Sequence, residues 1–166
     1  MNYSAIKYFC TVNGIGLSTS LFVSGCDLHC KGCFNRAAWD FKVGKEYTDE
    51  VQEKIFKSIE PEYITHLSLL GGEPLADGNQ DAVLKIVKDF RKRFGNTKKI
   101  WIWSGYYLDK MTDKQKEIIS YCDYLVDGRW DETKYNPNLT FRGSSNQTIW
   151  EQKDGEWVRS QLNEDE

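Results

Sequence analysis

The sequence predicts an α/β protein: an incomplete (β/α) barrel, open on one side, with a mainly parallel sheet. Three observations carry this reading. Four apolar runs of strand character alternate with three segments of helical period. Such alternation builds right-handed βαβ crossovers on a parallel sheet. At 166 residues the chain is also too short for a closed eight-fold barrel, which takes roughly 250. An open barrel can accept a segment of another protein, whereas a closed one suits a small substrate.

Taken in order, residues 1–16 are mixed. Cys10 sits in an extended stretch and reads as a small buried group rather than a ligand. Asn13-Gly14-Ile15-Gly16 is a turn before the first long strand, residues 17–23. Residues 35–47 have no clear period; Ala37 to Phe41 suits a short helix, with Trp39 and Phe41 read as core rather than as a shield over a site. Thr48 caps a helix whose first turn holds Asp49 and Glu50 and whose apolar stripe is Val51, Ile55 and Ile59. Pro61 ends it.

The second strand spans residues 63–70, and His66 reads as a satisfied sheet histidine. It runs into Gly71-Gly72-Glu73-Pro74. A helix over residues 81–94 turns Val83, Val87 and Phe90 to the sheet. The third strand, residues 100–103, ends in Ser104-Gly105-Tyr106. Thr112-Asp113-Lys114-Gln115 is a capping box for a helix that buries Ile118, Ile119 and Cys122. The fourth strand, residues 124–126, ends in Asp127-Gly128-Arg129. Residues 139–147 read as a surface loop, in which Arg142 can bind a phosphate or carboxylate. A single domain over residues 1–155 and a charged, flexible tail over 156–166 are expected.

Composition excludes several classes. Net charge is −3, so no general nucleic-acid electrostatics is implied. No apolar run approaches the ~20 residues of a membrane span, and the first residues do not resemble a secretory signal. Five cysteines, three of them clustered, favour metal binding in a reducing cytoplasm over a disulfide framework.

The clustered cysteines, Cys26, Cys30 and Cys33, follow a C-x3-C-x2-C spacing at the C-terminal end of the first long strand. Ligands are held at such strand ends in α/β proteins. Thiolates suit zinc, copper(I) or an iron–sulfur cluster. Closed zinc and electron-transfer sites want four ligands; the fourth here would be Cys10, Cys122, His66 or His29. Three cysteines on a four-iron cluster instead leave one iron open, as catalysis requires. At the Gly71-Gly72 turn, backbone groups free of side chains can bind the amino group of an amino-acid ligand, and Glu73 adds an acceptor.

The cysteine spacing resembles that of the radical S-adenosylmethionine enzymes. Gly71-Gly72-Glu73-Pro74-Leu75, Trp101-Ile102-Trp103-Ser104-Gly105-Tyr106, Val126-Asp127-Gly128-Arg129 and Phe141-Arg142-Gly143-Ser144-Ser145-Asn146-Gln147 follow in the order seen in one family. That family comprises the activating proteins of the anaerobic ribonucleoside-triphosphate reductase. The similarity covers roughly residues 1–150, and Ser104 stands where the family often has threonine.

The resemblance implies a barrel of the radical S-adenosylmethionine type and a 4Fe–4S cluster on Cys26, Cys30 and Cys33. It implies S-adenosylmethionine held near Gly32, Cys33, Phe34, Gly72 and Glu73, and reductive cleavage of that cofactor. The partner would be the glycyl-radical subunit of the reductase, with a flavodoxin-type electron donor. Alternatives are an activase of a formate-lyase type enzyme, or a non-catalytic zinc or electron-transfer module. The roles of Ser104, Asp127, Arg129 and Arg142 stay open.

Overall fold

The computed structural model describes residues 1–33 and 36–165. Its strands are β1 (Asn2–Cys10), β2 (Leu17–Val23), β3 (Lys45–Glu46), β4 (Ile64–Gly71), β5 (Lys99–Trp103), β6 (Tyr124–Asp127), β7 (Thr148–Lys153) and β8 (Glu156–Arg159). They form one mixed sheet in the order β3-β1-β2-β4-β5-β6-β7-β8. Three helices cover it: α1 (Asp49–Ile59), α2 (Asp77–Phe94) and α3 (Asp113–Ser120).

The centre of the sheet is the expected parallel run, β2-β4-β5-β6. The sheet as a whole is not mainly parallel, however. Among the described residues four antiparallel pairings, at β1–β2, β1–β3, β6–β7 and β7–β8, outnumber the three parallel ones. Both antiparallel edges escape a reading by βαβ rhythm. β1 is bulged and half-exposed, so it shows no clean alternation. β7 and β8 lie in a charged stretch, but Asp154-Gly155 joins them with φ of 52° and 82°, the two positive values that a tight hairpin turn needs.

Residues 156–159 are thus a strand of the sheet rather than the start of a tail. Beyond β8, Asn163 is buried: its amide donates to the Ile149 carbonyl (2.8 Å) and accepts from the Ile149 N–H (2.8 Å). A polar side chain that replaces sheet hydrogen bonds gives no hydrophobic signal.

Helix ends follow their capping residues. Thr48 Oγ1 accepts from Val51 N–H, and Thr112 with Gln115 completes the capping box. α2 begins before the predicted residue 81 because Asn79 and Gln80 are buried. Asn79 donates to the carbonyls of Ser24 and Glu73, and Gln80 to that of Leu75. Residues that look like a polar turn thus fasten the helix start to the ends of two strands.

Alternation divides the sheet into two faces. Leu21, Val23, Leu67, Leu69, Ile100, Ile102 and Leu125 pack against Ile55, Phe56, Ile59, Val83, Val87, Phe90 and Ile118 of the helices. Among the described residues none of α1–α3 covers the opposite face. One register row there is Ser20, Ser68, Trp101 and Tyr124, and the next is Phe22, Leu70, Trp103 and Val126. Trp101 stacks on Tyr124 with ring centroids 4.1 Å apart. Phe141, Ile149 and Leu162 pack on the same cluster. Among the described residues no helix is long and apolar enough to cross a membrane.

Candidate functional site

Strands β2, β4, β5 and β6 run parallel, so their C-terminal ends meet at one rim. The row Phe22, Leu70, Trp103 and Val126 lines a cavity of about 500 Å³ there. Cys26, Cys30 and Cys33 all open onto it, as do Gly72 and Glu73. The structure thus brings together the three cysteines and the glycine turn. Gly32 belongs to the cysteine loop, with φ of 74°, and a Cβ there would strike the Glu132 carboxylate. Phe34 lies outside the described residues.

The cysteine loop begins directly against the glycine turn. Gly72 N–H donates to the Val23 carbonyl (2.8 Å) and Glu73 N–H to that of Gly25 (2.7 Å). On the other side, Gly25 N–H donates to Ala38 (2.7 Å) and Cys26 N–H to Trp39 (3.2 Å). This close approach explains Gly72: a Cβ there would meet the carbonyl oxygens of Gly25 and Ala38. Gly71 is needed for its conformation, with φ of 116° and the Val23 backbone against it.

Glu73 is placed differently from the sequence reading. Its carboxylate is 2% exposed, and both oxygens are engaged by protein. Oε1 accepts from Gly105 N–H (2.7 Å); Oε2 accepts from Leu75 N–H (2.9 Å) and the Ser104 hydroxyl (2.9 Å). It clamps the end of β4 to the end of β5, which also assigns Ser104 a role. Burial pushes the Glu73 carboxyl up to about 7, against the opposing pull of the Gly105, Leu75 and Ser104 donors.

The sign of the resulting pH dependence is fixed. Between its ordinary value near 4.5 and about 7 the folded state holds a proton that the unfolded state has released, so stability falls as pH rises through that window. Glu73→Gln mimics the protonated form. In metal-free protein, the melting temperature of wild type is expected to drop relative to Glu73→Gln from pH 5 to pH 7.5, and a constant difference would mean that burial does not raise this carboxyl.

The candidates for a fourth metal ligand are committed elsewhere. Cys10 Sγ accepts from Asn13 Nδ2 (3.4 Å). Cys122 lies in the core, where burial pushes its thiol up. His66 is buried, with Nε2 2.6 Å from the Asn13 carbonyl and Nδ1 2.7 Å from Thr65 Oγ1, as a satisfied sheet histidine should be. His29 stacks on Trp39, centroids 4.2 Å apart.

Among the described residues no three His, Cys, Asp or Glu side chains converge as they would on a single metal ion. Three thiols on one loop beside a roomy cavity are of the chemistry that an iron–sulfur cluster takes.

Three features of the site escaped the sequence reading. Trp39 is half-buried and lines the cavity, so the shielding alternative describes it better than core; Phe41 is 37% exposed and is not core either. Residues 139–147 are not a surface loop. Arg142 and Ser144 are buried, and Trp103 Nε1 donates to the Phe141 carbonyl (2.9 Å), so this segment roofs the face opposite α1–α3. Gln147 organises the roof: Oε1 accepts from Gly143 N–H (2.9 Å) and Ser144 N–H (3.1 Å), and Nε2 donates to the Gly128 carbonyl (3.1 Å). A Gly-Ser-Ser-Asn-Gln run without hydrophobic period is the signal such a unit leaves.

Gln147→Ala strands two N–H donors and is expected to cost about 1–3 kcal/mol. Chemical denaturation checks this; an unchanged midpoint would mean that water replaces the side chain.

The cavity, its three thiols and the roof fall within residues 12–150, which match the family model of the 4Fe-4S single cluster domain. The chain is similar to three proteins, each named anaerobic ribonucleoside-triphosphate reductase-activating protein. That of Vibrio cholerae is 40% identical over 151 residues, covering 90% of this chain and 97% of the relative. That of Haemophilus influenzae is 37% identical over 153 residues, covering 90% and 97%. That of Enterobacteria phage T4 is 36% identical over 157 residues, covering 95% and 98%. The matched span takes in the cavity and nearly the whole length of each relative, and the chain belongs to the family of anaerobic ribonucleoside-triphosphate reductase-activating proteins.

Proposed function

We propose that this protein is an iron–sulfur activase that reductively cleaves S-adenosylmethionine and generates a glycyl radical on an anaerobic ribonucleoside-triphosphate reductase. One observation carries the reading. Three cysteines, with the other candidate ligands held elsewhere, open onto one cavity beside the Gly71-Gly72 turn. The relatives' name supplies the partner.

In this reading Cys26, Cys30 and Cys33 hold a 4Fe–4S cluster. When bound, the reduced cluster and S-adenosylmethionine supply electron transfer and cleavage of the S–C5′ bond. The chain's own residues bind, orient and exclude water. Backbone groups at Gly72, Gly32 and Cys33 face the cofactor, with Phe34 of the same loop expected to join them. Glu73 acts one step back, holding the Gly72 turn and the Ser104-Gly105 end of β5 together. The apolar row Phe22, Leu70, Trp103 and Val126 keeps the floor dry, as a reactive radical requires.

The face opposite α1–α3 is read as the unclosed side of an incomplete barrel of the radical S-adenosylmethionine type, where the partner's glycine would enter beneath the roof. A single domain that includes β8, a reducing cytoplasm and a flavodoxin-type donor complete the proposal.

The test is anaerobic incubation of the reduced, reconstituted protein with S-adenosylmethionine and the reductase. A glycyl radical signal on the reductase, absent without either component, is the expected result. Failure of the signal to form with a fully loaded protein would overturn the reading.

A further inference from the structure

The cysteine loop is held from outside by the loops that follow β5 and β6. Tyr106 donates its hydroxyl to Asp27 (2.8 Å). Lys31 and Glu132 are 3.8 Å apart and largely exposed, so that pair contributes little. The Leu28 side chain fills the place that a Cβ on Gly105 would take. At the middle of the segment between Cys26 and Cys30, Arg129 Nη2 donates to the Leu28 carbonyl (2.5 Å). Like the Tyr106–Asp27 bond, this is a charge-assisted contact, and it grips the loop's backbone from the β6 side.

Arg129 has a second partner. Its own carbonyl accepts from Asn146 Nδ2 (2.7 Å), and the same amide donates to Tyr107 Oη (3.0 Å). Asn146 belongs to the roof that Gln147 organises. One residue therefore grips the cysteine loop with its side chain and the roof with its backbone.

We infer that Arg129 is a positioning residue that latches the cysteine loop to the roof, so that the two halves of the cavity wall move together. The inference rests on the proposed cluster site only for its functional meaning; the latch itself belongs to the metal-free chain. Lifting the roof to admit a partner segment would loosen the loop that carries the thiols. Seating the segment would tighten it again.

The test is amide hydrogen exchange of residues 26–33 in the metal-free, full-length protein. Arg129→Ala is expected to speed exchange there by about tenfold, which corresponds to about 1.4 kcal/mol and is the scale of a hydrogen bond to a charged group. Asn146→Ala touches no residue of the cysteine loop, yet it is expected to speed the same peptide. The double variant should go little beyond Arg129→Ala alone, because both act through one link. Tyr106→Phe, which frees Asp27 without touching the roof, should instead add to Asn146→Ala.

Exchange in β4 and α2 should stay at the wild-type rate in each variant. Unchanged exchange at 26–33 in Arg129→Ala, or full additivity of Arg129→Ala with Asn146→Ala, would overturn the latch. In the reconstituted protein the same order should appear in the rate at which an iron chelator bleaches the visible absorbance. If wild type takes up no cluster while the exchange pattern holds, the proposed function fails and the latch stands.

Discussion

Alanine at Cys26, Cys30 or Cys33 is expected to abolish the iron–sulfur absorbance of the anaerobically reconstituted protein, while Cys10→Ala and Cys122→Ala retain it. The contrast follows from where the five thiols lie. The first three line one cavity at the strand ends. Cys10 is buried beside Asn13 and Ser20, and Cys122 is sealed in the helix-facing core. Cys122→Ala should therefore cost stability, about 1 kcal/mol, and leave cluster content alone. With only three thiols at the site, the loss of one has no local substitute. Iron and sulfide analysis reads the result directly. A cluster that survives Cys30→Ala, or disappears in Cys10→Ala, would assign the ligands wrongly.

Gly72→Ala should be nearly as damaging, by another route. The added methyl meets two carbonyl oxygens, of Gly25 and Ala38, and neither belongs to a flexible side chain. The Gly25 carbonyl also accepts from Glu73 N–H, so relieving the crowding pulls apart the contact between the cysteine loop and the glycine turn. Overpacking of this kind costs about 1–3 kcal/mol. In a binding assay with reconstituted protein, S-adenosylmethionine affinity should fall by more than tenfold, since the wall proposed to face the cofactor is displaced. Wild-type affinity in a folded Gly72→Ala protein would place the cofactor elsewhere in the cavity.

These expectations also show what a sequence can disclose. The parallel strands, the three helices and the cysteine loop were legible because each leaves a local mark: β-branched runs, a fourfold apolar stripe with caps, thiols at metal-ligand spacing. His66 was legible as structural because apolar neighbours alternate around it, and Cys122 because it shares the inward helical stripe of Ile118 and Ile119.

The antiparallel edges were not, since β1 is half exposed and β7–β8 carry charge on both faces. Asp154-Gly155 was the available signal for the hairpin. The role of Glu73 was read from its place in a motif, yet its carboxylate turns to Gly105 and Ser104, residues about thirty positions away whose approach only the β4–β5 pairing brings about. The roof was missed for a related reason. Its order comes from side-chain amides bonding to backbone, at Asn146 and Gln147, as does that of the tail at Asn163, and amides in a loop look solvent-exposed until their partners are known.

The most direct measurement is the electron paramagnetic resonance spectrum of the reduced, anaerobically reconstituted protein, recorded with and without S-adenosylmethionine. A 4Fe–4S signal whose shape changes when the cofactor is added is expected, because three thiolates leave one iron open for the cofactor to bind. A fully loaded cluster whose signal the cofactor leaves untouched would contradict the central claim and return Cys26, Cys30 and Cys33 to an electron-transfer or structural role.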